Sequence, residues 1–219
     1  MGKVKDIITR VIKVAASYIP GVGPVVSEVI DYASNAFEQN KLQKFMESVE
    51  VKLEKHSEQI EEIKSDEFGY FYFLKATKRW IEDSQSEKLE YFANAVENGY
   101  TADISEAKKL LFLTKLAEYP VELLELLDYL NEDHFVDAST SNYKIYYGTK
   151  YMKDALCEGL PKYRDQLDLL DNFINILIRD NFTYLFTLNN PEKEEKAKGK
   201  WTTKFGEEFI TFIKEKNNG

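Results

Sequence analysis

Between Leu42 and Ile63, seven positions recur in steps of 4, 3, 4, 3, 4 and 3: Leu42, Met46, Val49, Leu53, His56, Ile60 and Ile63. Such a seam lies along one side of an α-helix, because about 3.6 residues per turn bring every third or fourth residue to the same face. Glu and Lys fill most of the intervening positions, so the other sides of the helix suit water. A strand would need alternation with period two, which is absent. The seam therefore predicts a long helix in a fold assembled mainly from helices. It also makes these seven residues a candidate surface for self-association or a protein partner. The competing reading is a helix folded back on its own domain.

Other segments repeat the helical pattern. Residues 4 to 18 place Val4, Ile7, Ile8, Val11, Ile12, Ala15 and Tyr18 on one side, and Ile19-Pro20-Gly21-Val22-Gly23-Pro24 must end that helix. A second helix restarts near Val25. Further helices are expected at Phe68–Ile81, at Glu87–Val96 with Asn98-Gly99 as its C-terminal cap, at Ile104–Ala117 after Thr101 or Asp103, and at Val121–Leu130. With 43% apolar residues, 14 Tyr and 14 Phe, the chain carries far more core-forming surface than a disordered segment.

Beyond residue 118 the texture changes. Tyr143–Tyr147 and Phe182–Leu188 read as short strands, Lys200-Trp201-Thr202 as a returning strand, and Thr149–Glu158, Tyr163–Asp180 and Thr203–Lys214 as helices. The order helix, strand, helix, helix, strand, charged loop, strand, helix is that of a winged helix with a small β-hairpin wing. The expected fold class is thus mainly α, with a helical domain over 1–118 and a winged-helix-like module over 119–219.

Charge and chemistry exclude more than they select. A net charge of −9 opposes non-specific coating of nucleic acid. A regulator would use Lys162, Arg164, Lys196, Lys198 and Lys200 as nucleic-acid contacts. The helix expected to enter the groove, however, carries Asp165, Asp168, Asp171 and Asp180 against Lys162, Arg164 and Arg179, so DNA binding is disfavoured. Cys157 is the single cysteine, which leaves no disulfide framework and no CxxC and suits a reducing compartment. The two histidines, His56 and His134, lack a Glu three residues before them and form no His-Glu-x-x-His. Gly21-Val22-Gly23-Pro24 has neither the strand nor the Gly-Lys-Ser/Thr of a phosphate loop. Glu50-Val51-Lys52 matches a nuclease-like Glu-x-Lys, but it lies inside the helical seam and is repeated cheaply at Glu62-Ile63-Lys64. No catalytic residue, metal ligand or cofactor is expected, and no small-molecule ligand is named.

The N-terminus is the most functional-looking stretch. Lys3, Lys5, Arg10 and Lys13 stand against Asp6 alone, a local charge of +3, and Val14–Ser27 carry no charge. A basic amphipathic helix of this kind can lie on an anionic membrane, with Lys3, Lys5, Ile8, Arg10, Val11 and Ile12 as candidate contacts. No stretch reaches the roughly eighteen apolar residues of a membrane span, and the start is read as part of the mature chain.

Ile19–Pro24, the following helix with Glu28, and Ser86-Glu87-Lys88-Leu89-Glu90-Tyr91-Phe92-Ala93-Asn94-Ala95-Val96-Glu97-Asn98-Gly99 loosely resemble a widespread group of uncharacterised bacterial helical proteins. The similarity covers residues 15 to about 130. It implies a role in phage defence or stress response and carries no catalytic residue. The expectation is a cytoplasmic bacterial protein that acts through protein contacts, with a peripheral position at the inner membrane face as the variant of that location. The alternatives are a membrane-associating effector using residues 4–33 and a winged-helix DNA-binding regulator.

Overall fold

The computed structural model describes residues 33, 35–55, 67–132, 156–157, 159–184 and 200–215. These residues form seven α-helices: α1 (Ala36–Glu54), α2 (Glu67–Glu82), α3 (Leu89–Thr101), α4 (Glu106–Glu118), α5 (Val121–Leu130), α6 (Leu167–Arg179) and α7 (Lys204–Ile213). Tight 3-10 turns at Ser86–Lys88 and Pro161–Tyr163 precede α3 and α6. Among the described residues no helix is long and apolar enough to cross a membrane. The architecture is mainly helical, as the patterning predicts.

The chain falls into two compact units. One comprises residues 1–121 with 211–219, the other residues 122–210. The residues from Thr211 onward thus group with the first unit, whereas the sequence reading divides the chain once, at 118.

In the first unit α3 is the central element. Every residue from Phe92 to Tyr100 is buried, and α1, α2 and α4 pack around it. Rings of Phe45, Trp80 and Phe92 fill the space between α1, α2 and α3, with centroids 6.2 and 5.8 Å apart along the series. Leu42, Met46, Val49 and Leu53 are all buried here. These four seam residues thus lie on the core-facing side of α1, inside the chain's own core. His56, Ile60 and Ile63 lie outside the described residues.

Two boundaries differ from expectation for stated reasons. Helix α3 runs through Asn98-Gly99 instead of ending there. Gly99 serves close packing: a Cβ at this position would collide with the Tyr72 ring. Helix α4 starts after Ser105, whose hydroxyl accepts from the Lys108 amide at 3.4 Å.

In the second unit, the single helix expected over Tyr163–Asp180 is interrupted. The amides of Tyr163, Arg164 and Gln166 bond back three residues, to Leu160, Pro161 and Tyr163, before α6 begins at Leu167. Leu170, Phe173 and Leu177 point inward, whereas Leu167, also expected inside, is exposed. Helix α6 ends in a Schellman motif. The Phe182 amide bonds to the Leu177 carbonyl at 2.8 Å and the Asn181 amide to that of Ile178 at 2.9 Å, with Asn181 left-handed at φ 61°.

Thr183 and Thr202 then form one antiparallel bridge where the two arms of a wing are expected. The body of that wing and the strand expected at 143–147 lie outside the described residues, as does most of the helix expected over 149–158.

Candidate functional site

The polar groups buried in the first unit follow one rule: most of them close the carbonyl end of a neighbouring helix. A helix leaves its last carbonyls without intrahelical donors and carries partial negative charge there. The α1 residue Lys41 sends its ammonium to the carbonyls of Trp80 (2.7 Å), Ile81 (3.0 Å) and Asp83, so all three of its protons are engaged at the end of α2. The Trp80 indole returns a bond to the Lys41 carbonyl at 3.0 Å, and the ammonium stands 4.5 Å from the indole centroid. Burial pushes the Lys41 pKa down, against the opposing attraction of Asp83 and Glu38.

Lys88, only 1% exposed, pairs with the Asp83 carboxylate at 2.5 Å and reaches the Ala117 carbonyl near the end of α4 at 3.4 Å. Burial lowers its pKa too, opposed by the hydrogen bond and charge of Asp83. The same carboxylate accepts from the Gln85 amide at 2.8 Å, and the Gln85 side chain in turn accepts from the Val121 amide at 2.9 Å. The α2–α3 connection is therefore held by a buried pair of lysines around Asp83.

The third helix end is that of α7. Asn94 and Asn98, one turn apart on α3, are 5% and 1% exposed. Asn94 Nδ2 donates to the Ile213 carbonyl at 3.0 Å, and Asn98 Nδ2 to those of Phe212 and Lys214 at 2.9 and 3.3 Å. Both Oδ1 atoms are buried and have no hydrogen-bond partner. The rings of Phe112 and Phe212 meet at 5.5 Å. At the end of α1, Lys55 bonds Glu215 at 2.9 Å, while Lys52 pairs with Glu90 at 3.1 Å. The hydrogen bond from Lys55, helped by the charges of Lys55 and Lys52, holds the Glu215 carboxyl below the usual carboxylate range. This face of α1 and α3, with its buried unpaired oxygens, is the most ligand-like constellation among the described residues.

The residues singled out from the sequence fall elsewhere. Lys3, Lys5, Ile8, Arg10, Val11 and Ile12 lie outside the described residues, as do Lys196 and Lys198. Lys162 pairs with Glu125, Arg164 Nε donates to the Cys157 carbonyl at 3.2 Å, and Lys200 pairs with Glu207 at 3.7 Å. The three described groups proposed for nucleic acid are thus each engaged by an acceptor of the chain itself. Cys157 is half-buried. Among the described residues no three His, Cys, Asp or Glu side chains gather into a group able to hold a metal.

Sequence reasoning passed over Lys41, Asp83, Lys88, Asn94 and Asn98. A signal was present for the asparagines: two amides one turn apart on a helix whose other residues are core-like require partners. No family model, no curated protein and no solved structure matches this chain.

Proposed function

We propose that the chain is a non-enzymatic bacterial interaction protein that acts through protein contacts in the cytoplasm, in phage defence or a stress response. The observation that carries this reading is the contrast between interior and surface. Inside the first unit, Lys41, Lys88, Asn94 and Asn98 are committed to helix ends. On the surface, large apolar side chains stand in water, foremost Phe37 at 73% and Val51 at 59% exposure on α1. These two are fourteen residues apart, close to four helical turns, so they share one side of α1. That side, opposite the buried seam, becomes the candidate partner surface. The likeness of Ile19–Pro24 and Ser86–Gly99 to the bacterial helical group supports the setting.

The second unit is read as a winged-helix-like module, which the Thr183–Thr202 bridge between α6 and α7 favours. A winged helix serves DNA or protein partners, and fold alone does not choose. The engagement of Lys162, Arg164 and Lys200 by the chain's own acceptors favours protein.

Crosslinking in cells followed by affinity capture of the full chain tests the proposal, with Phe37→Glu/Val51→Glu as the surface variant and Ala107→Glu, at an exposed position of α4, as control. A partner retained by wild type and control but lost by the double variant supports it. Equal recovery by all three, together with salt-sensitive co-sedimentation on anionic liposomes, would replace it with the membrane reading of residues 4–33.

A further inference from the structure

We propose that the face of α1 and α3 that holds residues 212–215 is a peptide-binding groove for an extended, acidic segment of a partner protein, occupied here by the chain's own C-terminal segment. The proposal rests on the interaction reading above and names the chemistry of one partner.

The argument starts from what a carboxamide can do. An Asn side chain carries two donors on nitrogen and an acceptor oxygen in one plane. The end of a helix offers it carbonyls only. Asn94 and Asn98 accordingly spend their Nδ2 groups on Phe212, Ile213 and Lys214 and leave both Oδ1 atoms buried without a donor. The resident segment therefore fits half of the recognition surface.

An extended backbone would fit both halves. It presents N–H and C=O groups together along one edge, repeating about every 6.6–6.8 Å for alternate residues. Four residues along a helix rise about 6 Å, so the two carboxamides are spaced to meet alternate residues of such a segment. Each would accept one N–H and donate to one C=O, leaving neither Oδ1 without a donor.

The charges around the site select the partner's side chains. Lys55 bonds Glu215, and the nearby charge of Lys52 also acts on that carboxylate. Lys52 stays paired with Glu90 at 3.1 Å, so it is Lys55 that loses its direct partner when Glu215 leaves, and an acidic side chain can take the place of Glu215. Phe112, which meets the Phe212 ring, supplies an apolar anchor for an aromatic side chain of the incoming segment.

The test uses the full chain. A display library of random twelve-residue peptides is selected against the Phe212→Ala variant, which loses the ring contact of the resident segment, and in parallel against Glu215→Ala, which loses an exposed anchor without disturbing the core. Circular dichroism checks the fold of each. The expected result is recovery of acidic, aromatic-containing peptides that bind these variants about tenfold or more tightly than wild type, because the resident segment competes in the intact chain. Lys55→Glu or Asn98→Ala, added to either variant, should weaken binding by about tenfold or more.

Peptides without acidic enrichment, binding indifferent to Lys55 and Asn98, or no recovery on folded variants would each overturn the groove. If the groove fails while Phe37→Glu/Val51→Glu still abolishes capture of a partner, the interaction reading stands without it.

Discussion

The two units close their helix ends by different means. In the first, the donors come from far away in the chain: Lys41 serves carbonyls 39 to 42 residues distant, and Asn94 and Asn98 serve carbonyls 114 to 119 residues distant. In the second, the Trp201 amide closes the end of α5 from afar, on the Leu130 carbonyl at 2.8 Å, but the devices at α6 and α7 are local. Asn181 lets α6 turn back on itself, and the Thr203 hydroxyl accepts from the Gly206 amide at 3.0 Å to start α7. Long-range closure ties the helix ends of the first unit to the packing of its core. Local closure lets α6 and the start of α7 be specified by a few neighbouring residues. The first unit should thus respond to loss of one buried polar side chain as it would to loss of a core residue, and the second should respond most to changes in backbone geometry.

The sharpest way to break this contrast is Lys88→Met. Removing one partner of a buried ion pair leaves the other charge uncompensated, at a cost of about 3–5 kcal/mol. Asp83, whose side chain is 7% exposed against Lys88, would lose its direct partner and keep only the attraction of Lys41. The urea midpoint should fall accordingly, and Asp83→Asn in the same chain should restore part of the loss. A midpoint within error of wild type would mean that Lys88 contributes nothing beyond its carbon chain.

Gly206→Ala asks the corresponding question of the second unit. A Cβ there would meet the Phe182 carbonyl, which is backbone and is also held by the Thr203 amide at 3.0 Å. Overpacking of this kind costs about 1–3 kcal/mol. The expected outcome is a lowered midpoint together with faster exchange of the Thr203 and Glu207 amides, which mark this junction. Loss of stability without faster exchange there would show that the strain is spread and not local.

Alkaline pH acts with opposite signs on the buried tyrosines, Tyr163 in the second unit and Tyr72 in the first, and on the buried lysines of the first unit. Burial, with Glu125 and Glu122 adding to it, pushes the Tyr163 pKa from about 10 in the unfolded chain up to about 12. The unfolded state then releases a proton first. The associated stability is present below pH 10 and is lost as pH rises through that window toward 12. Lys41 and Lys88 act oppositely: their pKa values are lowered, so between the folded values and 10.5 the unfolded state holds more protons and stability rises with pH. Tyr163→Phe should therefore flatten the fall in denaturation midpoint between pH 10 and 12. An unchanged slope would show that Tyr163 ionises alike in both states.

The same contrast explains what was legible in the sequence. Helix α5 is readable because Pro120 and a run of leucines bound it locally, and α1 because its seam has a fixed period. That Leu42, Met46, Val49 and Leu53 of the seam face the core depends on Trp80 and Phe92, which its spacing does not reveal. Asn98-Gly99 reads as a helix stop because the pair serves turns so often. Here Gly99 makes room for Tyr72 and Asn98 reaches residues 212 and 214, and both facts belong to the tertiary fold. Lys41 and Lys88 look like surface residues in the sequence, since nothing nearby says that a helix ends against them.

The smallest expected effect is a gain. Asn181 adopts φ 61°, a left-handed conformation that asparagine tolerates and glycine adopts without steric cost. The interactions around it are made by its backbone: its amide bonds Ile178 and its carbonyl accepts from the Thr203 hydroxyl at 2.6 Å. Asn181→Gly keeps both and relieves the conformational cost, partly offset by the greater freedom of glycine in the unfolded chain. Stability should rise by up to about 1 kcal/mol, whereas Asn181→Val, β-branched and poorly suited to positive φ, should lower it. Denaturation midpoints of the pair decide the matter. If glycine gives no gain and valine no loss, the end of α6 is held by Phe182 and Leu177 packing together, and closure in the second unit is as dependent on the core as it is in the first.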